Sequence, residues 1–517
     1  MASARLEYRY VGEVAKLNDS TPSQPRTKQT PPPTTSFTSN QQLIIGGVLL
    51  VSAALLLVVE YGLFANSDGL TDLGKIAGYT FGAVAVFLSC VALLVVGFAF
   101  AIASDRDRDT SRTEWRVIGA VSLALFASFT LVYPATAIDI FLYAVRSRIW
   151  TEYGENPSRV IPYYILEGDP YKRFTTDQWA SALSPYGPLW NWIAAPGTMF
   201  SDHPILPSLL YFKGIAIASA AGVAVAIYRM TRAFNPSFAV PAMLLWLWNP
   251  LLLWEGIANG HNDVVAILPL ALALWAWQSK KDEFVIPLLL ASVLIKYTAL
   301  PLLPIAVVAV LGRSLEFGKF RQVFAYSSVF SAGLTVFSFG PFYDLHALWT
   351  AFDKQRGVYT TSVPGVVLRA SRINDWGLNK QIVGNISLAI VTIAVLVSCW
   401  MVLRNHERFV AASYATMTVL LMLGTSNLRP WYVLWMLPLA IATGPRGPWL
   451  PAVVWSMTAL LSYGHYIWVR DWWAGSTFWF EFTGVAITLI PVLATFSAEW
   501  QRRPVRSLRG AGYTSPR

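Results

Sequence analysis

The stretch Phe284-Val-Ile-Pro-Leu-Leu-Leu-Ala-Ser-Val-Leu-Ile-Lys296-Tyr-Thr-Ala-Leu-Pro301-Leu-Leu-Pro304-Ile-Ala-Val-Val-Ala-Val-Leu-Gly312 decides how this chain folds. It is apolar throughout except for a cation at its centre. Lys280 and Lys281 precede it, and Arg313, Lys319 and Arg321 follow it. One helix crosses the hydrocarbon of a bilayer in about 20 residues, so the run is too long for a single crossing. Basic residues collect on the cytoplasmic side of a membrane, and here both flanks are basic. The chain is therefore expected to enter, turn near Lys296 and the two prolines, and return. Two short helices with Lys296 at the far tip satisfy both constraints.

The pattern recurs outward from this hairpin. Apolar runs of crossing length lie near 42–64, 76–104, 116–136, 206–228, 236–257, 263–279, 322–340, 382–403, 409–443, 449–467 and 476–497. The run from 409 to 443 breaks at Asn427-Leu-Arg429-Pro430-Trp431-Tyr432 and reads as a second hairpin. The expectation is an all-α polytopic membrane protein, a bundle of about 14 transmembrane helices with two long extracytoplasmic loops, near 137–205 and 341–381. With 55% hydrophobic and 13% charged residues and a mean hydropathy of +0.47, the composition suits a membrane-embedded chain. Residues 1–41 are rich in Pro, Ser, Thr and Gln and read as a disordered cytoplasmic tail; residues 42–498 form the transmembrane domain, and 499–517 a cytoplasmic C-terminal tail.

Lys and Arg bias places Arg106 to Arg116, Arg229, Arg232, Arg404, Arg408, Arg446 and both tails on one side. Both long loops then fall on the other, with the breaks at Asn259–Asp263, Lys296 and Arg429. The formal charge of +10 is spread through short loops rather than gathered into a stripe with stacking aromatics, which excludes nucleic acid as the partner. No Walker loop is present, so ATP is not the driving ligand. Cys90 and Cys399 lie in separate apolar runs and make no disulfide framework. The Asp105, Asp107 and Asp109 run is interleaved with Arg106 and Arg108 and reads as a solvated charge cluster.

The candidate chemistry sits where polar residues interrupt these runs. In Tyr133-Pro-Ala-Thr-Ala-Ile-Asp139-Ile-Phe-Leu-Tyr143-Ala-Val-Arg146, a helix starting near Asp139 puts Asp139, Tyr143 and Arg146 on one face. An ionisable residue at the mouth of a membrane bundle is a functional candidate by default, against the plainer reading of Asp139 as a helix N-cap. The loop beyond carries Asn156-Pro157, Glu167-Gly168-Asp169-Pro170 and Ser184-Pro185-Tyr186-Gly187-Pro188-Leu189-Trp190, three turn-rich clusters that indicate an ordered loop. Asn259-Gly260-His261-Asn262-Asp263 packs polar groups between two apolar helices. Its composition points to binding hydroxyls or phosphate rather than metal, since no histidine pair has metal-ligand spacing. Lys296 and Arg429 suit a phosphate, with lipid snorkelling as the plain alternative for each.

Together, the Asp139-x-x-x-Tyr143 helix, Asn156-Pro157, Asp169-Pro170, Pro185-Tyr186-Gly187-Pro188-Leu189-Trp190, Asn249-Pro250-Leu251, His261-Asn262-Asp263, Lys296 and Pro430-Trp431-Tyr432-x-x-Trp435 resemble one group. That group is the polyprenol-phosphate-mannose-dependent alpha-1,6-mannosyltransferases of bacterial lipoglycan assembly, within the C-type glycosyltransferase superfamily. The resemblance implies that Asp139 is the catalytic base. It also implies substrate binding by Tyr143, Arg146, Asp169, Tyr186, His261, Asn262, Asp263, Lys296, Arg429, Trp431 and Tyr432. It further implies a polyprenyl-phosphate-linked sugar as donor, a glycan or glycolipid acceptor and inversion at the anomeric carbon. No cofactor and no required metal are expected, because two or three cations can neutralise a monophosphate leaving group. The expected location is the plasma membrane, with the active site on the extracytoplasmic face. A transporter or flippase of polyprenyl-linked sugars is the alternative, but its charges belong near the midplane of paired broken helices rather than at one face.

Overall fold

A computed structural model of the protein describes residues 38–502, except 104–109, 200–203, 474–476 and, within 345–356, residues 345, 347, 348, 351, 352 and 354–356. Most of the N-terminal tail, the Asp105 to Asp109 run and the chain from 503 onward lie outside the described residues. Among the described residues every regular element is helical, and extended pairing is limited to the isolated bridges Gly62–Val132 and Thr360–Asn427. Six helices are long and apolar enough to cross a membrane: Ser39–Glu60, Phe81–Ile102, Leu206–Phe234, Phe320–Phe342, Lys380–Arg404 and Phe478–Glu499. Pro236–Leu247 and Leu252–Ala258, bent by 55° at their junction, make a seventh if taken as one span.

The count of about 14 crossings therefore does not follow from helix length. Polar breaks cut the remaining apolar runs into shorter pieces, including Asp263–Gln278, Val285–Ile295 and Leu302–Glu316. Each is below the roughly 20 residues of a full span. The loop expected over 137–205 is itself partly helical, with Asp139–Thr151 and Pro188–Ala194, and Val363–Asn374 lies in the second loop. Phe320–Phe342 is only 17% buried and Lys380–Arg404 22%, with Val329, Val336, Ile393 and Leu396 exposed along them. Apolar faces that open favour lipid over water. Asp263–Gln278, in contrast, is buried along nearly its whole length and forms part of the centre.

The Lys296 hairpin closes as its charge pattern requires. Arg313 Nε donates to Asp282 Oδ2 at 3.0 Å, and Arg313 Nη2 donates to the Trp277 carbonyl at 2.9 Å and also bonds Asp282 Oδ1. The start of Val285–Ile295 and the end of Leu302–Glu316 are thus tied together, with Lys296 at the other extreme. The second hairpin behaves alike: the Tyr414 hydroxyl donates to the Pro448 carbonyl at 3.4 Å, joining its two ends. Asp263–Gln278 runs between the levels of tip and base, about 24 Å at about 1.5 Å per residue. Lys280, Asp282, Arg313 and Glu407 pair at the base, whereas Asp263 pairs with Lys296 at the tip.

One buried cation fixes the approach to Asp139. Helix Arg112–Thr130 ends with carbonyls that have no partner within the helix, as all helices do. Lys213, on Leu206–Phe234 and fully buried, donates from Nζ to the carbonyls of Val132 at 2.6 Å, Thr130 at 3.1 Å and Phe129 at 3.4 Å. The chain then turns at Tyr133, whose hydroxyl donates to the Gly69 carbonyl at 2.7 Å. Lys213→Met is expected to lower the melting temperature in detergent, because it strands the Thr130 and Val132 carbonyls in an apolar interior at about 1–3 kcal/mol for an unsatisfied group, the Phe129 carbonyl keeping the Val132 N–H. A melting temperature equal to that of the parent protein would refute this capping role.

Candidate active site

Two glycines bring separate parts of the chain into contact around Asp139. Gly260, at φ +63°, sits where an added Cβ would lie 2.5 Å from Ile140 Cδ1, so the Asn259–Asp263 turn rests directly on the first turn of the Asp139 helix. Gly187 donates its N–H to the Ile295 carbonyl at 3.1 Å, and a Cβ there would stand 2.0 Å from the Leu294 carbonyl oxygen. The Pro185–Pro188 turn is thereby pressed onto the Lys296 tip, which places Tyr186 between that tip and Asp139. Gly187→Ala is expected to push the turn off the tip at about 1–3 kcal/mol, a typical overpacking cost. It should reduce activity more than Gly154→Ala, where an added Cβ meets nothing within 4 Å even though that glycine, unlike Gly187, has positive φ. Equal activity of the two variants would refute the close-approach argument.

The Asp139 carboxylate accepts a hydrogen bond from the Tyr186 hydroxyl at 2.9 Å through Oδ1. Its helix, Asp139–Thr151, has Ile138 at the N-cap position with no side-chain cap. The N-cap reading of Asp139 is thus not what the geometry shows. Burial, and then the Asp139 charge, hold the Tyr186 phenol well above its ordinary pKa, so it remains a donor. As the helical spacing requires, Tyr143 and Arg146 follow on the same face. The Tyr143 ring stands 5.1 Å from the Tyr186 ring, edge to face, and the Arg146 guanidinium 5.7 Å from the Tyr186 centroid.

Tyr143 joins this face to the polar turn: its hydroxyl donates to Asn262 Oδ1 at 3.1 Å and accepts from the Asn262 N–H at 3.1 Å. Lys296 Nζ donates to Asp263 Oδ2 at 2.6 Å and to Asn262 Oδ1 at 3.4 Å. Asp263 Oδ1 accepts from Trp435 Nε1 at 2.8 Å, which draws in the second hairpin. Tyr432 completes the wall, its ring centroid 5.3 Å from Lys296 Nζ, and it lies within electrostatic reach of Asp139 and Arg429. Lys296 likewise feels the Asp139 charge. Asp139, Tyr143, Arg146, Tyr186, Asn262, Asp263, Lys296, Arg429 and Tyr432 therefore form one continuous group.

The cations in this group differ in what they have left to give. Lys296 spends two of its three donors on Asn262 and Asp263. Arg146 is 3% exposed and makes no ion pair among the described residues, with the Tyr186 hydroxyl within its reach. Arg429 makes no ion pair among the described residues and lines a small recess with Thr361 and Tyr466. The second long loop reaches this corner through Thr360, whose N–H donates to the Ser426 carbonyl at 3.1 Å.

Asp169 goes elsewhere. Its Oδ2 accepts from Arg148 Nε at 3.0 Å and from the Tyr153 hydroxyl at 2.8 Å, while its Oδ1 accepts from the Tyr171 N–H at 2.7 Å. Arg148 is two residues from Arg146 and so leaves the helix on a different face. With both oxygens occupied, Asp169 is an internal brace of the first loop and stands apart from the Asp139 group. His261 and Trp431 also turn to one another, stacked with centroids 3.9 Å apart. His261 Nε2 lies 3.2 Å from Glu255 Oε2, a fully buried carboxylate to which the sequence analysis assigns no role. Among the described residues no three His, Cys, Asp or Glu side chains gather as a metal-binding group.

Residues 40–312 match the family described as alpha-(1->6)-mannopyranosyltransferase, N-terminal domain. The chain belongs to that family. The matched segment holds the Asp139 helix, the Tyr186 turn, Asn262, Asp263 and Lys296, while Arg429, Tyr432 and Trp435 come from beyond it. Alpha-(1->6)-mannopyranosyltransferase A of Corynebacterium glutamicum is 24% identical over 320 residues, covering 53% of this chain and 64% of the relative. An alpha-(1->6)-mannopyranosyltransferase of Mycobacterium tuberculosis is 26% identical over 137 residues, 26% of this chain and 22% of the relative. The chain thus spans less than two thirds of the length of either relative.

Proposed function

We propose that the protein is a membrane mannosyltransferase that moves mannose from a polyprenyl-phosphate donor to a glycan or glycolipid acceptor at the extracytoplasmic face, with inversion. The observation that carries this reading is the meeting of Asp139 with an unpaired buried guanidinium and a lysine at the tip of a membrane hairpin. A lipid-phosphate sugar presents an anion at the interface and a polar ring above it, and these tips lie at that level. Asp139 takes the proton from an acceptor hydroxyl as its oxygen attacks the anomeric carbon. The bond from that carbon to the phosphate oxygen breaks, and the lipid monophosphate departs with the electron pair. Tyr186 fixes the carboxylate through Oδ1 and leaves Oδ2 to the substrate.

Arg146 is the principal partner of the phosphate in this scheme. The Lys296 charge is already balanced by Asp263, so its third donor adds a hydrogen bond but little net attraction. Arg146 carries a fork that can hold two phosphate oxygens. Arg429 adds a second positive field near Tyr432. The family membership and its printed activity support the transferase class. The test is incubation of the purified protein in lipid nanodiscs with labelled polyprenyl-phosphate mannose and an alpha-1,6-mannooligosaccharide. An elongated, labelled oligosaccharide is expected. Movement of the donor across the bilayer with no new glycosidic bond would overturn the proposal in favour of a flippase.

A further inference from the structure

Thr361 has φ +55°, a left-handed conformation that a β-branched residue rarely adopts. Such strain persists only where the surroundings impose it, and it collects at functional positions. Contacts on both sides impose it here. The Thr361 N–H donates to Glu481 Oε2 at 2.8 Å, and the Thr361 hydroxyl donates to the Leu428 carbonyl. Its neighbours repeat the pattern: the Thr360 hydroxyl donates to Asn427 Oδ1 at 2.7 Å, and the Ser362 hydroxyl donates to the Ser426 carbonyl. Residues 360–362 of the second long loop thus lie as a strap along residues 426–428, immediately before Arg429.

Glu481 is the fixed end of this strap. It lies in the first turn of the last apolar helix, is 2% exposed, and uses its other oxygen, Oε1, to accept from Arg369 Nη2 at 3.3 Å. A carboxylate in an apolar span is costly to keep, which makes it a functional candidate. Arg369 belongs to Val363–Asn374, the helix that Ser362 caps by accepting from the Gly365 N–H at 3.1 Å. One carboxylate therefore holds both the strap and the helix that follows it. Arg429, in contrast, is half-buried, makes no ion pair among the described residues, and lines a small recess together with Thr361. A long unpaired side chain keeps its rotamer freedom unless its backbone and one wall of its surroundings are fixed. We infer that Glu481 is a positioning residue: through Thr361 it fixes the chain before Arg429 and so aims the Arg429 guanidinium at the donor phosphate. The inference rests on the transferase reading and extends that site to a residue beyond the segment matched to the family.

Four proteins test it: the parent, Glu481→Ala, Arg429→Ala and the double variant, assayed in nanodiscs for kcat/KM with polyprenyl-phosphate mannose. A misplacement of about 1 Å can cost about a hundredfold, so the partial loosening in Glu481→Ala should lower kcat/KM about tenfold. Because Glu481 acts through Arg429, the same change should cost less than about twofold once Arg429 is gone. A larger loss in that background, as a merely structural brace would give, overturns the inference. Unchanged kcat/KM in Glu481→Ala or in Arg429→Ala overturns it as well. Thr361→Gly is the second variant, since glycine adopts the positive φ without strain and keeps the N–H for Glu481 while losing the hydroxyl bond to Leu428. It should show the same dependence on Arg429 with a smaller factor, and it decides the matter if Glu481→Ala does not fold. If the parent protein transfers no sugar at all, equilibrium binding of labelled polyprenyl phosphate to the same four proteins separates this inference from the transferase reading. Binding that weakens in Glu481→Ala, but not when Arg429 is already replaced, sustains the strap. Equal weakening in both backgrounds, no weakening, or no binding by the parent refutes it.

Discussion

On the proposed reading, Asp139→Asn is expected to abolish sugar transfer while the protein folds and binds the donor lipid as before. A positioned general base contributes about 10²–10⁴ in rate, and an amide cannot accept the proton. The structural cost is small because Asp139 caps no helix and its one side-chain hydrogen bond, from Tyr186 to Oδ1, can be kept by the amide oxygen. Melting temperature and binding of labelled polyprenyl-phosphate mannose should therefore match the parent protein. Asp139→Glu, which moves the carboxylate by one methylene, should retain a small fraction of the rate. Full activity in Asp139→Asn would remove Asp139 from the chemistry. Loss of donor binding together with activity would make it a binding residue instead.

That Asp139, Tyr143 and Arg146 lie on one surface was legible because helical periodicity is a local property of thirteen consecutive residues. The Lys296 hairpin was legible for a related reason. Charge on both flanks and in the centre of an apolar run leaves few ways to lay the chain in a bilayer, and the Arg313–Asp282 contact shows the return directly. What escaped were pairings that depend on the fold. Asp169 and Arg148 are both charged residues of the first loop, and nothing in their spacing says that they neutralise one another rather than face a substrate. Lys213 looks like any lysine near the start of a membrane helix until the carbonyls of Phe129, Thr130 and Val132, more than eighty residues earlier in the chain, are placed beside it. Glu255 carries no assigned role in the sequence, and its pairing with His261 and Asn259 appears only once the Asn259–Asp263 turn is folded over it. Helix length does not confirm the crossing count, because hydropathy measures how apolar a run is, whereas helix length depends on where polar residues break it.

The Asp263–Lys296 pair allows the sharpest division between structure and chemistry. Both side chains are nearly or wholly enclosed, at 0% and 10% exposure, and their atoms are 2.6 Å apart. Removing one member of such a pair leaves an uncompensated charge in a low-dielectric site, at a cost of about 3–5 kcal/mol. Asp263→Asn and Lys296→Met should each destabilise the protein by that order, read from chemical or thermal unfolding in detergent. The double variant is expected to recover much of the loss. No charge remains in it, and the amide oxygen introduced by Asp263→Asn can still accept from Trp435, as the Asp263 carboxylate does at 2.8 Å. Activity should not recover with stability. If the third Lys296 donor serves the departing phosphate, the restabilised double variant still lacks it and transfers slowly. Should the double variant regain both stability and full transfer, the pair is a fastening between the hairpin and the Asn259–Asp263 turn, and the phosphate is left to Arg146 and Arg429. Destabilisation that simply adds in the double variant would instead show that the two charges are not coupled at all.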